Sequence, residues 1–172
     1  MNRRTLKIIA LCIMLITTFA CAKSEAPLPT VGNTAPSFAA MDMDGKKVSL
    51  TDLSGKVVIL DFWATWCAPC RASTRELEKL HEKYKDRDVV ILGISIDEGK
   101  SVAERVKEFT GKNGLTYRML VDDGRISKAF AIRNIPAMFI LDKQQRIIKI
   151  YPGYFQGLSS IVEKELEDLL KG

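Results

Sequence analysis

Two cysteines held two residues apart, in Trp66-Cys67-Ala68-Pro69-Cys70, are the side chains of this sequence best suited by type and spacing to do chemistry. They follow an apolar, strand-like run, Val57 to Phe62, and open a helix-like one. A free thiol titrates at about 8.5, but the unpaired N–H groups and positive dipole end of a helix favour the thiolate, so a cysteine placed there reacts near neutral pH. Cys67 is therefore the candidate nucleophile. Cys70, one turn further in, can attack a mixed disulfide on Cys67, release the reduced partner and close the short ring, which makes it the resolving thiol. The other uses of such a pair are half a zinc site or a structural disulfide. Zinc as a rule takes about four ligands, and besides the pair the chain holds Cys12, Cys21 and the lone His81. A strand-then-helix setting is the one in which this spacing reads as redox chemistry.

The elements that must position the dithiol follow from hydrophobic periodicity. Val57-Val58-Ile59-Leu60-Asp61-Phe62 has the continuous apolar character of a central strand covered on both faces. After Cys70, the spacing of Leu77, Leu80 and Tyr84 predicts a helix running to about Tyr84 with one buried stripe. His81 adjoins that stripe about 15 Å from the thiols and reads as structural or solvent-facing. Val89 to Ile96 reads as a second core strand, and Ser101 to Asn113 as a helix with Val102, Val106 and Phe109 on one face, Gly111 and Gly114 bracketing its end. Tyr117 to Val121 is a short strand and Arg125 to Phe130 a short helix. Ala137 to Leu141 and Ile147 to Tyr151 are strands joined by Asp142-Lys143-Gln144-Gln145, and Ile161, Val162, Leu166 and Leu169 form the apolar face of the last helix. Upstream, Ser37 to Met41 and Lys46 to Leu50 form a hairpin across Asp42-Met43-Asp44-Gly45, since Asp-Gly is a strong turn signal. Together these predict a one-domain α/β three-layer sandwich with a mixed sheet and no internal repeat.

At 172 residues, 47% hydrophobic and 27% charged, the chain has ordinary globular composition. Arg3, Arg4 and Lys7 precede an apolar run, Ile8 to Ala20, that is short for a spanning helix of about 20 residues and reads as an export signal. Removing these three cations lowers the formal net charge from +5 to +2. The remainder shows no basic cluster interleaved with aromatics, so no nucleic-acid partner is expected. Residues 1–21 are read as a signal peptide or lipoprotein leader, 22–31 as a polar, proline-containing tether, and 32–172 as the folded domain.

Asp61-Phe62-Trp63-Ala64-Thr65-Trp66-Cys67-Ala68-Pro69-Cys70-Arg71 resembles the active-site segment of the thioredoxin superfamily. Asn134-Ile135-Pro136-Ala137, followed by Met138-Phe139-Ile140-Leu141, resembles that family's cis-proline loop and its next strand. From Gly32-Asn33-Thr34-Ala35-Pro36-Ser37-Phe38 to the last helix, about residues 30 to 172, the layout is most similar to the TlpA/ResA-like branch of membrane-anchored extracytoplasmic thioredoxins. The resemblance implies the thioredoxin-like α/β/α sandwich, with the N-terminal hairpin and with Tyr117 to Phe130 as a βα insertion. Thr18-Phe19-Ala20-Cys21 resembles a bacterial lipobox, which implies lipidation of Cys21. Cleavage after Ala22 and retention of the leader as an anchor stay open.

Further site residues are read partly from chemistry and partly from the resemblance. Asp61 is an ionisable group inside an apolar strand, where an unpaired charge costs several kcal/mol and therefore needs a reason. It matches the buried aspartate that relays the proton of the resolving thiol; a local hydrogen-bonding role is the alternative. Glu98 lies where the TlpA/ResA-like branch often places an acid near the dithiol, with Asp97 as the neighbouring candidate. The family loop implies a cis bond before Pro136, so that Ile135 and Pro136 contact an extended substrate beside Cys67. Trp66, Ala68 and Pro69 would complete the substrate surface, Trp66 as an apolar rim.

The expected activity is that of an extracytoplasmic protein thiol-disulfide oxidoreductase acting as a reductase of protein disulfides, using the Cys67–Cys70 dithiol with no bound cofactor and no metal. An oxidising compartment keeps exposed dithiols oxidised unless electrons arrive, so a reductive role implies a membrane thiol-disulfide donor and a protein acceptor such as an apocytochrome c. A peroxiredoxin shares the segments Ala35-Pro36-Ser37-Phe38 and Leu50 to Lys56, but its Pro-x-x-x-Thr-x-x-Cys motif is lacking, since Thr65 stands two residues before Cys67. A non-catalytic carrier holding Cu(I) on the two thiolates, with Met138 nearby in the fold, is the rival from another class. Peroxide consumption and copper titration respectively discriminate these.

Overall fold

The protein is described from a computed structural model over residues 28–171. The leader, Cys21 and residues 22–27 of the tether lie outside the described residues. The chain order is β1 (Ala39–Met41), β2 (Lys47–Ser49), a 3-10 turn (Leu50–Leu53), β3 (Val57–Trp63), α1 (Ala68–Tyr84), β4 (Val89–Ser95), α2 (Val102–Asn113), β5 (Arg118–Val121), α3 (Arg125–Ala129), β6 (Ala137–Leu141), β7 (Ile147–Pro152) and α4 (Leu158–Lys171).

The main sheet has the order β5-β4-β3-β6-β7, with β3, β4 and β5 mutually parallel and β6 and β7 antiparallel to their neighbours. The steps from β3 to β4 and from β4 to β5 run in one direction across the sheet. Right-handed crossovers then place α1 and α2 on the same face. The burial follows: Val57, Ile59 and Trp63 of β3 join Leu77 and Leu80 of α1, Val106 of α2 and Val162 and Leu166 of α4 in one core. The return from β5 to β6 puts α3 on the opposite face, where Ile126 and Phe130 pack with Leu50, Leu53 and the even-numbered side chains Val58, Leu60 and Phe62. The sandwich is thus three-layered but unequal, one outer layer carrying three helices and the other a short helix, a 3-10 turn and the hairpin.

The hairpin forms as the Asp-Gly turn predicts, with Ala40 opposite Val48 and Gly45 at a positive φ of 75° that a glycine adopts without steric penalty. It leans on the insertion: Asp42 bridges to Leu120, and Arg118 pairs with the Asp42 carboxylate. The insertion itself supplies the edge strand of the main sheet. In α4 the buried side chains are Leu158, Val162 and Leu166, while Ile161 is 45% exposed. The expected face therefore rotates toward Leu158, because an i, i+4, i+8 row lies along the contact with α1 and Ile161 falls about 100° from it. Glu76 of α1 accepts from the Ser159 backbone N–H at 2.7 Å, capping α4 from the neighbouring helix.

Candidate active site

The dithiol stands where β3 turns into α1. Cys67 has extended backbone (φ −82°, ψ 107°) and is the N-cap residue of α1; its Sγ accepts from the Cys70 N–H at 3.2 Å. An N-cap acceptor bonding the third residue of a helix is the ordinary means of satisfying a free N–H. Here that acceptor is the candidate nucleophile, so a Cys67 thiolate would receive both the hydrogen bond and the positive dipole end. Pro69 fits the first turn because that position needs no N–H partner. The two sulfurs are joined in a disulfide. Cys67 retains 5% exposure and Cys70 none, and Trp66, Ala68 and Pro69 surround Cys67 as exposed residues, Trp66 at 65%. An incoming sulfur therefore meets Cys67 first.

The loop before the dithiol is held by Asp97. Its carboxylate accepts from the Thr65 N–H at 2.9 Å, the Thr65 hydroxyl at 2.6 Å and the Ser95 hydroxyl at 2.7 Å, and it is 3% exposed. Glu98 is exposed at the surface; its main-chain carbonyl accepts from Arg105 at 2.8 Å, and its carboxylate has no hydrogen bond or ion pair among the described residues. Of the two neighbouring acids, Asp97 is thus the one tied to the active-site loop. Its partner Thr65 is 32 residues away in sequence, so only β3–β4 pairing reveals it.

Asp61 is fully buried on the sheet face that α1 covers, and neither carboxylate oxygen has a hydrogen-bond partner among the described residues. Desolvation by burial pushes its pKa from 3.8 up to about 7. In the sheet it lies between Gly93 and Met138. A Cβ at Gly93 would overlap the Met119 Sδ and stand 3.0 Å from the Tyr117 ring and 3.1 Å from Trp63 Nε1, so glycine is needed for those side chains to close over this point. The Ile135–Pro136 bond is cis. Phe62 pairs with Ala137, which sets Pro136 one step further along, at the end of β3 that leads to Cys67. Pro136 is buried and its carbonyl accepts from Gly153 N–H at 2.7 Å; Ile135 is half-buried and packs against both cores. His81 is half-buried, its ring 6.2 Å from that of Tyr117, about three turns along α1 from the dithiol. Among the described residues no group of three or more His, Cys, Asp or Glu side chains is placed to hold a metal ion.

A thioredoxin-like fold that presents an accessible cysteine at a helix N-terminus, with its disulfide partner one turn inside, defines a protein thiol-disulfide oxidoreductase. Solved structures of that fold include a thiol:disulfide interchange protein of the thioredoxin family from Chlorobium tepidum TLS, 26% identical with a TM-score of 0.71, covering 85% of this chain and 99% of that one. The chain belongs to the AhpC/TSA family, whose model matches residues 31–150. Within it, the chain is similar to the thiol-disulfide oxidoreductase ResA of Bacillus thuringiensis (strain Al Hakam), 34% identical over 142 residues that span 82% of this chain and 77% of that protein. It is also similar to the thioredoxin-like protein YneN of Bacillus subtilis (strain 168), 32% identical over 139 residues, 81% of this chain and 78% of that one.

Proposed function

We propose that this oxidoreductase works outside the cytoplasm as a reductase of protein disulfides, tethered to the membrane through a lipidated Cys21. The observation that carries the reductive direction is Asp61, fully buried and without a hydrogen-bond partner among the described residues, on the face occupied by Cys70. A carboxylate in that setting opposes a second buried negative charge, and Ala68 adds no donor beyond its backbone, so the thiolate form is only moderately favoured over the disulfide. In the reaction, the Cys67 thiolate attacks a substrate disulfide, breaking its S–S bond; one substrate sulfur is displaced as a thiolate and takes up a proton, and the other forms a mixed disulfide with Cys67. Asp61 then takes the proton of the Cys70 thiol; the Cys70 sulfur attacks Cys67, the substrate leaves as a thiol, and the Cys67–Cys70 disulfide remains. Trp66, Ala68, Pro69, Ile135 and Pro136 would form the surface on which an extended substrate lies. Electrons return from a membrane thiol-disulfide donor, and an apocytochrome c is the type of acceptor this branch suggests. No bound cofactor enters the cycle.

Two measurements test this reading. A dithiothreitol redox titration, followed by Trp63 and Trp66 fluorescence, is expected to give a potential of about −220 to −280 mV; a value above roughly −150 mV would reverse the direction to disulfide formation. Expressing Cys70→Ala in cells and identifying the proteins disulfide-linked to Cys67 names the acceptor, because that mixed disulfide lacks its resolving thiol.

A further inference from the structure

Four side chains carry buried polar atoms with no hydrogen-bond partner among the described residues: Asp61 with both oxygens, Trp63 with its indole Nε1, Tyr117 with its hydroxyl and, two strands from Asp61 on β7, Tyr151 with its hydroxyl; the first three group around Gly93. Their grouping is a matter of register. Asp61 pairs with Gly93, and Gly93 with Met119, so Asp61, Gly93 and Met119 form a row across β3, β4 and β5 on the face that α1 covers. Trp63 and Tyr117 lie two residues to either end of that row and fold back over the side-chain-free point at Gly93, each ring within 3.1 Å of where a Cβ would stand. Their chemistry is complementary. An indole N–H only donates, a tyrosine hydroxyl can donate, and an ionised carboxylate only accepts. Buried polar groups left without partners are costly, and buried water is the common partner of such groups where several polar atoms line a site with room for it.

We propose that the Trp63 indole N–H and the Tyr117 hydroxyl, bridged by buried water, are the hydrogen-bond donors that hold the Asp61 carboxylate when it is ionised. They are positioning residues: they touch neither substrate nor sulfur and act through Asp61. The inference rests on the proton-acceptor role given to Asp61 above and extends it. The water-linked donors stabilise the anion that takes the Cys70 proton, and so set the lower edge of the pH range over which the Cys67 mixed disulfide resolves. Tyr117 is suited to remain a donor, because burial and the nearby Asp61 and Glu78 carboxylates push its own ionisation well above the usual tyrosine range. The titratable and charged groups facing the cluster are Cys70, Glu78 and His81 from α1, Tyr117 just before β5, Tyr151 from β7, and at the adjoining cavity Lys107 from α2, Arg118 from β5 and Asp42, Asp44 and Lys46 from the hairpin turn. β4 and β6 present Gly93 and Met138, and α4 presents Leu158, Val162 and Leu166, none of which titrates.

The test is carboxyl-carbon NMR titration of Asp61 in oxidised protein, where neither thiol ionises. Removing one donor by Tyr117→Phe or by Trp63→Phe is expected to raise the Asp61 midpoint by about one pH unit, the size of one hydrogen bond to a charged acceptor. Midpoints within about 0.3 units of wild type in both variants overturn the proposal. Wild-type protein supplies an independent readout should a variant not fold. The Trp63 indole N–H resonance is expected to titrate with the Asp61 midpoint and to lose that dependence in Asp61→Asn; an indole signal flat from pH 5 to 9 also overturns it. The turnover pH profile of Tyr117→Phe separates the two readings. If the Asp61 midpoint moves and the profile does not follow, the donor pair stands and the proton-acceptor role of Asp61 falls.

Discussion

Replacing Asp61 by asparagine sets stability against activity in a way the structure quantifies. Burial raises the Asp61 pKa from 3.8 to about 7, and among the described residues no direct hydrogen bond offsets that cause. An acid whose folded-state pKa exceeds its unfolded one loses folding stability as pH rises through the unfolded value, and the loss is complete above the folded one. The full rise corresponds to about 4 kcal/mol of preference for the protonated form. About 1.7 kcal/mol of it is already expressed at pH 5 and nearly all at pH 9, so the change between those two values is about 3 kcal/mol. Asparagine cannot ionise and lacks this dependence. The stability of Asp61→Asn relative to wild type should therefore grow by up to about 3 kcal/mol from pH 5 to pH 9, less whatever donors from Trp63 and Tyr117 recover. The assay is urea unfolding of both oxidised proteins across that range, with ellipticity as the signal; keeping the disulfide intact removes the thiols from the comparison. A stability difference constant to about 0.5 kcal/mol over the range would refute the reasoning, since Asp61 would then not titrate within the fold. The same substitution should slow insulin-disulfide reduction more at high pH than at low pH, because the proton acceptor is lost where it would be ionised and Cys70 still protonated. Equal rates for mutant and wild type across pH 6 to 9 would leave Asp61 a structural residue.

Cys67→Ser should abolish insulin reduction, whereas Cys70→Ser should keep one readily alkylated thiol and lose turnover; faster alkylation of Cys70 in reduced wild-type protein, read by mass spectrometry, would reverse the assignment. Gly93→Ala should destabilise by about 1–3 kcal/mol, because the added methyl meets Met119, Tyr117 and Trp63 in a packed interior; a melting temperature unchanged from wild type would contradict that crowding. Asp97→Asn should lose about 1–3 kcal/mol, since an amide NH2 replaces one of the two oxygens that accept from Thr65 and Ser95 and the charge that strengthens all three bonds is lost, and urea unfolding measures it. Mass spectrometry of the mature N-terminus should find a lipid-modified Cys21, and an unmodified terminus at Lys23 would remove the anchor.

The dithiol was legible in the sequence because its chemistry is local. A buried strand, a short turn and a helix N-terminus suffice to place Cys67 as a cap and Cys70 one turn inside, and each leaves a mark in neighbouring residues. The hairpin turn at Asp44-Gly45, the strand periods and the buried stripe of α1 are local in the same sense. Asp61 stood out as a lone acid in an apolar strand, but its depth and lack of partners are properties of the packed sheet. Tertiary structure alone put α1 and α2 on one face, because that depends on the direction of successive crossovers and not on either helix. It also chose Leu158 over Ile161 for the α4 interface, joined Thr65 to Asp97, and drew Trp63 and Tyr117 together over Gly93. The first is a matter of helix-on-helix packing; the other two belong to strand register, which pairs residues far apart in the chain through backbone hydrogen bonds that bear no side-chain signature.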